Sequence, residues 1–279
     1  MSEDFPIVGP EALPDIEALC ARSVSPRLYL SELRSALFAP DQPATVRFAR
    51  GVGVVATVRE ESNGFVRLLA VDPDRRGCGH GWELLDHAEA DLEGTQVITV
   101  GADPPYFLYP GIPTKETQLC YMFERRHYSR EEANYNVDVN LGNIPEGPSE
   151  GERLAPHERS SLEEWAEEHW PNWLPEFLRA FDQGTLLVAR DAAGISAACA
   201  YDVNRRATLG PIAARPDLMG KGAAKGLLIG ALKQMSEMRY RRIEVLWVGP
   251  LVPYFLVGGT IGSVFFVYRK RVWTAPTAR

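Results

Sequence analysis

The stretch DPDRRGCGHG at residues 72–81 decides how this sequence folds. It follows the apolar run FVRLLAV (65–71), which has the composition of a buried strand, and precedes WELLDHAEADLE (82–93), which has the apolar spacing of a helix. Glycines at alternate positions thus lie between a strand and the start of a helix. Without side chains, their backbone N–H groups can approach an anion closely, and the positive end of the helix strengthens the attraction. The stretch predicts a phosphate-binding loop.

Two common nucleotide-binding loops do not fit these residues. A Walker A loop ends in Lys followed by Ser or Thr, which bind the phosphates and magnesium, and this loop has no such ending. A dinucleotide loop has the spacing GxGxxG and an acidic residue at the end of a second strand. Here the spacing is GxGxG, and Asp91 and Glu93 lie at the end of a helix. A pyrophosphate held by backbone amides and Arg76, without a metal, is the ligand that fits, and it points to coenzyme A.

The second half of the chain repeats this pattern in ATLGPIAARPDLMGKGAAKGLLIGALKQM (207–235). Four loop residues recur at a constant offset of 143 positions: Pro73, Asp74, Gly77 and Gly79 correspond to Pro216, Asp217, Gly220 and Gly222. The leucine pair of the following helix keeps the same offset. The sequence therefore predicts a tandem duplication with one glycine loop in each copy.

A segment rich in Gly, Pro, Asn and Glu, NLGNIPEGPSEGE (140–152), separates the two copies and is typical of a linker. We therefore predict an N-terminal domain at 1–140, a linker at 141–152 and a C-terminal domain at 153–279.

The pattern of apolar residues is similar in both copies. For the first we predict strands at 45–60, 65–71, 95–102 and 133–141 and helices at 79–93 and 115–128. For the second we predict strands at 185–190, 195–203, 207–214, 241–249 and 263–272 and a long helix at 223–240, with a weaker helix after the fourth strand. Strands that come first and then alternate with helices indicate a mixed sheet flanked by helices.

The loop RGCGHG (76–81) is similar to the Arg/Gln-x-x-Gly-x-Gly/Ala loop of the GNAT superfamily of N-acetyltransferases, and MGKGAA (219–224) matches it except at Met219. This resemblance implies an α/β (α+β) fold with two tandem GNAT-like domains. Each would be a mixed, mostly antiparallel sheet in which one strand pair splays apart to admit the pantetheine arm of acetyl-CoA. The residues that the resemblance assigns to the coenzyme are Leu69, Ala70, Val71, Arg76, Gly77, Gly79, His80, Gly81, Ile212, Ala213, Ala214, Gly220, Lys221, Gly222, Ala223 and Ala224.

In the GNAT family a tyrosine that protonates the departing thiolate often precedes a glycine by four positions. Tyr254 stands four residues before Gly258 and is our predicted catalytic acid, whereas Phe123 holds the corresponding place before His127. The repeated tetrapeptide PYFL offers a second alignment, in which Tyr106 is the counterpart of Tyr254.

Two arrangements follow. In the first, which we favour, both copies bind acetyl-CoA and the second performs the chemistry. In the other, the first copy is active and the second has diverged.

The sequence does not identify a general base: Glu244 and Asp202 lie on predicted strands near the site, where either can instead be a paired or surface charge. Three tryptophans at 165, 170 and 173 fall where GNAT folds cover the acceptor, and they either meet a cationic amine or pack on the sheet.

The resemblance implies an acetyl-CoA-dependent N-acetyltransferase that moves the acetyl group directly to the amine of a small molecule. The alternative is a non-catalytic acyl-CoA-binding regulatory or scaffold protein. A net charge of −7 argues against a nucleic-acid partner, and no apolar run is long enough to predict a membrane span. Four scattered cysteines predict neither a disulfide framework nor a metal site, so we expect a cytoplasmic monomer or homodimer.

Overall fold

The computed structural model describes residues 4–272, apart from the side chain of Ala223. The chain forms two compact units. Unit 1 contains the residues up to Asn134 together with those from Phe265 onward, and unit 2 contains Tyr135–Val264.

Unit 1 is a sheet with helices on both faces. Its helices are α1 (Leu13–Ser23), α2 (Leu30–Phe38), α3 (His80–Asp91) and α4 (Thr117–Arg125). Its strands are β1 (Thr45–Ala49), β2 (Gly53–Glu60), β3 (Asn63–Val71), β4 (Val97–Val100), the short β5 (Ile112–Pro113) and the first part of β6 (Ser129–Asn140). Strands β1, β2 and β3 pair antiparallel, and β3 pairs parallel with β4 through the crossover helix α3.

Unit 2 repeats this plan. Its helices are α5 (Arg159–His169), α6 (Leu174–Gln183), α7 (Ala223–Glu237) and α8 (Val252–Phe255). Its strands are β7 (Leu186–Asp191), β8 (Gly194–Tyr201), β9 (Thr208–Ala214), β10 (Arg242–Val245) and the first part of β11 (Thr260–Arg271). Strands β7, β8 and β9 pair antiparallel, and β9 pairs parallel with β10 through α7.

The strand that completes each sheet comes from the opposite half of the sequence. Residues 268–271 of β11 pair antiparallel with β4 in unit 1, and residues 137–140 of β6 pair antiparallel with β10 in unit 2. The sequence pattern predicts the reverse, with 133–141 closing the first domain and 263–272 closing the second. The predicted domain boundaries followed chain order, whereas the compact units exchange these two segments.

Each sheet buries side chains on both faces because successive residues of a strand point to opposite sides. In β3, Leu68 and Ala70 pack with α1 and α2, while Leu69 and Val71 pack against the cluster formed with α3 and α4. In unit 2 the corresponding clusters contain α5 and α6 on one face and α7 and α8 on the other. The predicted fold class, a mixed and mostly antiparallel sheet flanked by helices in two tandem copies, is confirmed.

No helix within residues 4–272 is both long and apolar enough to cross a bilayer.

Candidate functional site

The two glycine loops have the same backbone conformation. Gly77 and Gly79 have φ angles of +77° and +98°, and Gly220 and Gly222 have +74° and +86°. These are left-handed values, which only glycine adopts at little cost. In both units the second of these glycines is the residue directly before the helix, so the loop turns its backbone into the helix start. The duplication predicted from the sequence extends to the shape of the loop.

The first loop leaves its backbone donors free. Within the described part of the chain, the N–H groups of residues 77–81 have no protein acceptor. The His80 side chain is turned inward, where its Nδ1 lies 3.0 Å from the Glu83 carboxylate, so this residue offers only its backbone to a ligand. Five consecutive N–H groups at the positive end of α3 form an anion site. In the second loop the Lys221 N–H is already bonded to Leu218 O at 3.1 Å, and Ala223 and Ala224 open α7.

The parallel strand pair of each unit splits partway along its length. In unit 1 the ladder between β3 and β4 stops at Val66 and Val100, and β3 continues to Val71 paired only with β2. In unit 2 the ladder between β9 and β10 stops at Leu209 and Val245, and β9 continues to Ala214 paired only with β8. The splayed strand pair that the sequence resemblance implied is therefore present in both copies.

The free edge of β3 exposes the backbone groups of alternate residues. Asp72 donates its N–H to Val52 O at 2.8 Å, so Asp72 and Ala70 direct their polar backbone groups toward β2. Leu69 and Val71 consequently direct theirs toward the split. Of the three residues predicted to hold the arm of the coenzyme, Ala70 is thus engaged in the sheet.

The same alternation holds in unit 2. Arg215 donates its N–H to Ser196 O at 2.8 Å, so Ala213 faces β8, while Ile212 and Ala214 face the split.

A cavity of about 480 Å³ runs from the first glycine loop into the split of unit 1. Its walls are the free part of β3, the glycine loop, the ends of β4 and α1, and one side of α4. The residues that line it include Leu69, Val71, Arg75, Arg76, Trp82, Gly101, Gly111, Tyr121 and Phe123. Every residue that lines this cavity belongs to unit 1.

Two glycines that sequence reasoning missed shape the wall opposite β3. A Cβ on Gly101 would lie 2.8 Å from Gly111 Cα, and a Cβ on Gly111 would lie 2.7 Å from Phe266 O. Both residues also have positive φ angles, +67° and +144°. The chain therefore returns to the end of β4 at van der Waals contact, and only glycine allows this approach. Glycine is needed at both positions because of backbone atoms that are distant in the sequence, and no local motif indicates this need.

The loop between β4 and β5 is held by a buried ion pair. Arg67 and Asp103 are both fully buried, with Arg67 Nε 2.5 Å from Asp103 Oδ2, and Arg67 also donates to Ala36 O at 2.6 Å. Burial raises the pKa of the Asp103 carboxyl, and the neighbouring guanidinium opposes this shift. Tyr106 lies beneath the Arg67 guanidinium at 5.6 Å and donates its hydroxyl to Asp41 at 2.6 Å. Tyr106 is thus a structural residue of this loop.

The structure also decides between the two alignments of Tyr254. The Gly259 N–H bonds to Tyr254 O at 2.9 Å, and the Tyr128 N–H bonds to Phe123 O at 3.0 Å. His127 takes a φ of +63°, close to the +79° of Gly258. Phe123 is therefore the counterpart of Tyr254, and Tyr106, which lies in a loop, is not.

Tyr254 is buried in the cluster between α7 and the sheet of unit 2. Desolvation raises the pKa of its hydroxyl well above the ordinary value, and the nearby Cys199 adds to the shift. A tyrosine in this state holds its proton at neutral pH, which is the state that a general acid requires. Its assignment as the catalytic acid stays a prediction.

In each unit a side chain donates a hydrogen bond to the corresponding backbone carbonyl at the split, but the donor differs. In unit 1, Arg76 donates to Val71 O at 3.4 Å and to Ser23 O at 2.9 Å. In unit 2, where Met219 replaces the arginine, the Trp170 indole donates to Ala214 O at 3.0 Å and stacks on Trp173 with ring centres 5.0 Å apart. The Trp170 ring thus covers the polar edge that faces the split of unit 2.

The linker adds a second difference at α7. The Glu150 N–H bonds to Gly226 O at 3.0 Å, and the Glu150 carboxylate carbon lies 2.7 Å from the point where a Cβ on Gly226 would stand. A carboxylate therefore lies against the first turns of α7, where its negative charge opposes the binding of another anion at the positive end of the helix.

The two carboxylates considered as general bases are both paired. Glu244 forms an ion pair with Arg205, and Asp202 accepts the Tyr240 hydroxyl at 2.8 Å. Within residues 4–272 no group of three or more His, Cys, Asp and Glu side chains is placed to hold a metal ion.

Comparison with known proteins identifies the fold. No protein-family model matches the sequence, and no curated protein does. Among solved structures, a GCN5-related glucosamine N-acetyltransferase region of a fungal multi-domain GH3 β-N-acetylglucosaminidase has a TM-score of 0.76 at 19% identity over 96% of this chain. The match spans only 38% of that fungal chain.

Two further solved structures match over nearly their whole length. A GCN5-related N-acetyltransferase from Sphaerobacter thermophilus has a TM-score of 0.70 at 17% identity, covering 96% of this chain and 95% of its own. A tandem GNAT protein from the clavulanic acid biosynthesis pathway has a TM-score of 0.71 at 13% identity, covering 98% and 99%. With the duplicated loops and the split strand pairs, these matches show that the chain has the fold of the GCN5-related N-acetyltransferases.

Proposed function

We propose that this protein is an acetyl-CoA-dependent N-acetyltransferase whose donor site is the cavity of unit 1. The observation that carries the proposal is the continuity of this cavity, which joins five free N–H groups at the start of α3 to the split between β3 and β4. An acyl-CoA has matching parts in the same order: a diphosphate, an arm with two amides, and a thioester.

The residues of unit 1 would divide the work along this path. The N–H groups of residues 77–81 would bind the diphosphate, and the backbone groups of Leu69 and Val71 would pair with the amides of the arm. A backbone N–H at the split would also bind the thioester oxygen as the carbonyl carbon becomes tetrahedral. Because this donor is fixed before the reaction, it stabilises the developing charge without reorganisation.

The reaction is direct transfer within a ternary complex. The ammonium group of a small-molecule acceptor loses a proton to solvent, and the neutral amine attacks the thioester carbon. The C–N bond forms, the C–S bond breaks, and the nitrogen loses one of its two protons to become the amide as the thiolate is protonated. Phe123 stands where a tyrosine would donate to the thiolate, so in unit 1 this proton comes from water or from the amine itself.

These observations favour the second of the two arrangements, in which the first copy binds and transfers. The site residues predicted in unit 2, including Tyr254, remain a separate hypothesis with a different stoichiometry. If only unit 1 binds, calorimetry with CoA gives one site per chain, and if both units bind it gives two.

A second candidate function is a non-catalytic acyl-CoA-binding regulatory or scaffold protein, and Phe123 is the observation that favours it. Calorimetry with acetyl-CoA, followed by a thiol-release assay over a panel of small primary amines, separates the two. Binding with amine-dependent release supports the transferase. Binding without release for any amine supports the scaffold, and absence of binding contradicts both.

A further inference from the structure

Two aromatic side chains stand at the rim of the unit 1 cavity. Trp82, the third residue of α3, and Tyr121, on α4, both line the cavity, yet these residues are 36% and 60% exposed. Exposed aromatic rings at the mouth of a pocket are costly to hydrate and are typical of ligand contacts.

A cation without a partner lies at the same rim. Arg75 lines the cavity and is exposed, and its side chain makes no hydrogen bond or ion pair with any described residue, whereas its backbone N–H bonds to Asp72 O. The next residue, Arg76, is turned back onto Ser23 O and Val71 O. Arg75 therefore keeps its charge available for a ligand at the outer side of the glycine loop.

Unit 2 lacks this combination. At the offset of the duplicated loops, Trp82 corresponds to Lys225 and Arg75 to Leu218. The rim of aromatic and cationic side chains thus belongs to the first copy, where the cavity lies.

We propose that Trp82 stacks on the adenine ring of coenzyme A and that Arg75 binds a phosphate of the same nucleotide. This inference rests on the proposed function, since the diphosphate must lie on the N–H groups of residues 77–81 and the arm must enter the split. The adenosine half then leaves the cavity past the first turn of α3, which is where Trp82 is exposed. The donor is accordingly a free nucleotide thioester and not an acyl group carried on the phosphopantetheine of a carrier protein.

Two fragments of the coenzyme test this assignment by calorimetry: adenosine 3′,5′-bisphosphate and pantetheine. Trp82→Ala is expected to weaken CoA and the bisphosphate by about 10- to 100-fold, because base stacking on an aromatic ring contributes about that factor, and to leave pantetheine unchanged. Trp82→Phe keeps a stacking face and should retain most of the affinity. Arg75→Gln should weaken the bisphosphate and CoA without affecting pantetheine.

Fluorescence provides a signature that a structural role would not produce. Stacking on adenine quenches an indole, so CoA should quench the wild-type emission and should leave Trp82→Phe unquenched although this variant still binds. Trp173→Ala is the matched control, because Trp173 is also 36% exposed but lies in unit 2. Its affinity and quenching should be those of the wild type.

Several outcomes would overturn the assignment. An equal loss for pantetheine and the bisphosphate in Trp82→Ala would show that Trp82 shapes the cavity, and wild-type affinity in that variant would show that the ring makes no contact. In either case the wild type still binds CoA, so the proposed function survives. If the wild type itself does not bind CoA, the proposed function fails and this inference fails with it.

Discussion

The paired substitutions Gly79→Ala and Gly222→Ala use the duplication as its own control. Both glycines directly precede a helix, with φ angles of +98° and +86°. A Cβ at either position would have no protein atom within 4 Å. The two substitutions therefore impose the same backbone strain and create no clash with the protein.

The expected loss of stability is small and equal. Holding alanine in a left-handed conformation costs about 1–2 kcal/mol. Alanine also lowers the conformational entropy of the unfolded chain, and this offsets up to about 1 kcal/mol of that cost. The balance is about 1 kcal/mol for each variant. Urea unfolding of the two variants, followed by circular dichroism, should give the same shift within error.

The expected effect on binding differs sharply. In Gly79→Ala the new methyl group stands in open space at the loop, beside the free N–H groups that we propose to bind the diphosphate. Losing two hydrogen bonds to a charged group costs about 3 kcal/mol, which weakens CoA binding by about 100-fold. Gly222→Ala should leave the affinity of the single site unchanged, since we place that site in unit 1.

Calorimetry with CoA on the wild type and both variants is the assay. Loss of affinity in Gly222→Ala with wild-type affinity in Gly79→Ala would refute our assignment of the donor site and move it to unit 2. Wild-type affinity in both variants would refute the role of the loops altogether. Circular dichroism of each variant before titration shows that a lost affinity is not lost folding.

Three further outcomes are expected. Burial raises the pKa of Glu176 to about 7 from its ordinary 4.5, so its contribution to stability is full below pH 4.5 and is lost as the pH rises to about 7. This amounts to about 3 kcal/mol, and urea unfolding of Glu176→Gln between pH 4 and 8 should lack this slope. Asp103→Ala leaves the Arg67 charge buried without its partner and should cost about 3–5 kcal/mol, most of which Arg67→Met restores in the double variant. Tyr254→Phe should leave turnover unchanged if unit 1 transfers the acetyl group, whereas a loss of 100-fold or more in kcat would place the chemistry in unit 2.

The sequence predicted the parts of the fold that depend on local pattern. The loop glycines, the strand before them and the helix after them are set by residues within about twenty positions, and the repeat at an offset of 143 confirmed the pattern independently. The split between strands followed from the family resemblance. The exchange of the closing strands was not predictable in this way, because residues 133–141 and 263–272 both have the composition of a strand, and this does not specify the partner of either strand. Exchanging them alters the partner of each strand and leaves the pattern of each intact.

The site was predicted less completely, since its details depend on contacts distant in sequence. The repeated tetrapeptide PYFL suggested two positions for a catalytic tyrosine, and only the backbone hydrogen bonds of Phe123 and Tyr254 distinguish them. Likewise, Ala70 and Leu69 are indistinguishable in a run of apolar residues. The bond from Asp72 to Val52 determines which of the two faces the split.

The two copies differ in the side chain that donates a hydrogen bond to the carbonyl at the split, which is Val71 O in unit 1 and Ala214 O in unit 2. In unit 1 the donor is Arg76, whose exposed side chain makes a long hydrogen bond of 3.4 Å to Val71 O. This side chain can turn toward a phosphate at little cost. In unit 2 it is Trp170, whose 3.0 Å bond to Ala214 is reinforced by stacking on Trp173. An incoming arm would have to displace both the hydrogen bond and the stacked ring before it could bond the same atom. The replacement of Arg76 by Met219 in the duplicated loop is consistent with this, because a guanidinium at that position would find the Ala214 carbonyl already bonded by the indole. The second glycine loop thus keeps the backbone shape of the first, although a side chain already bonds the carbonyl at the split of unit 2.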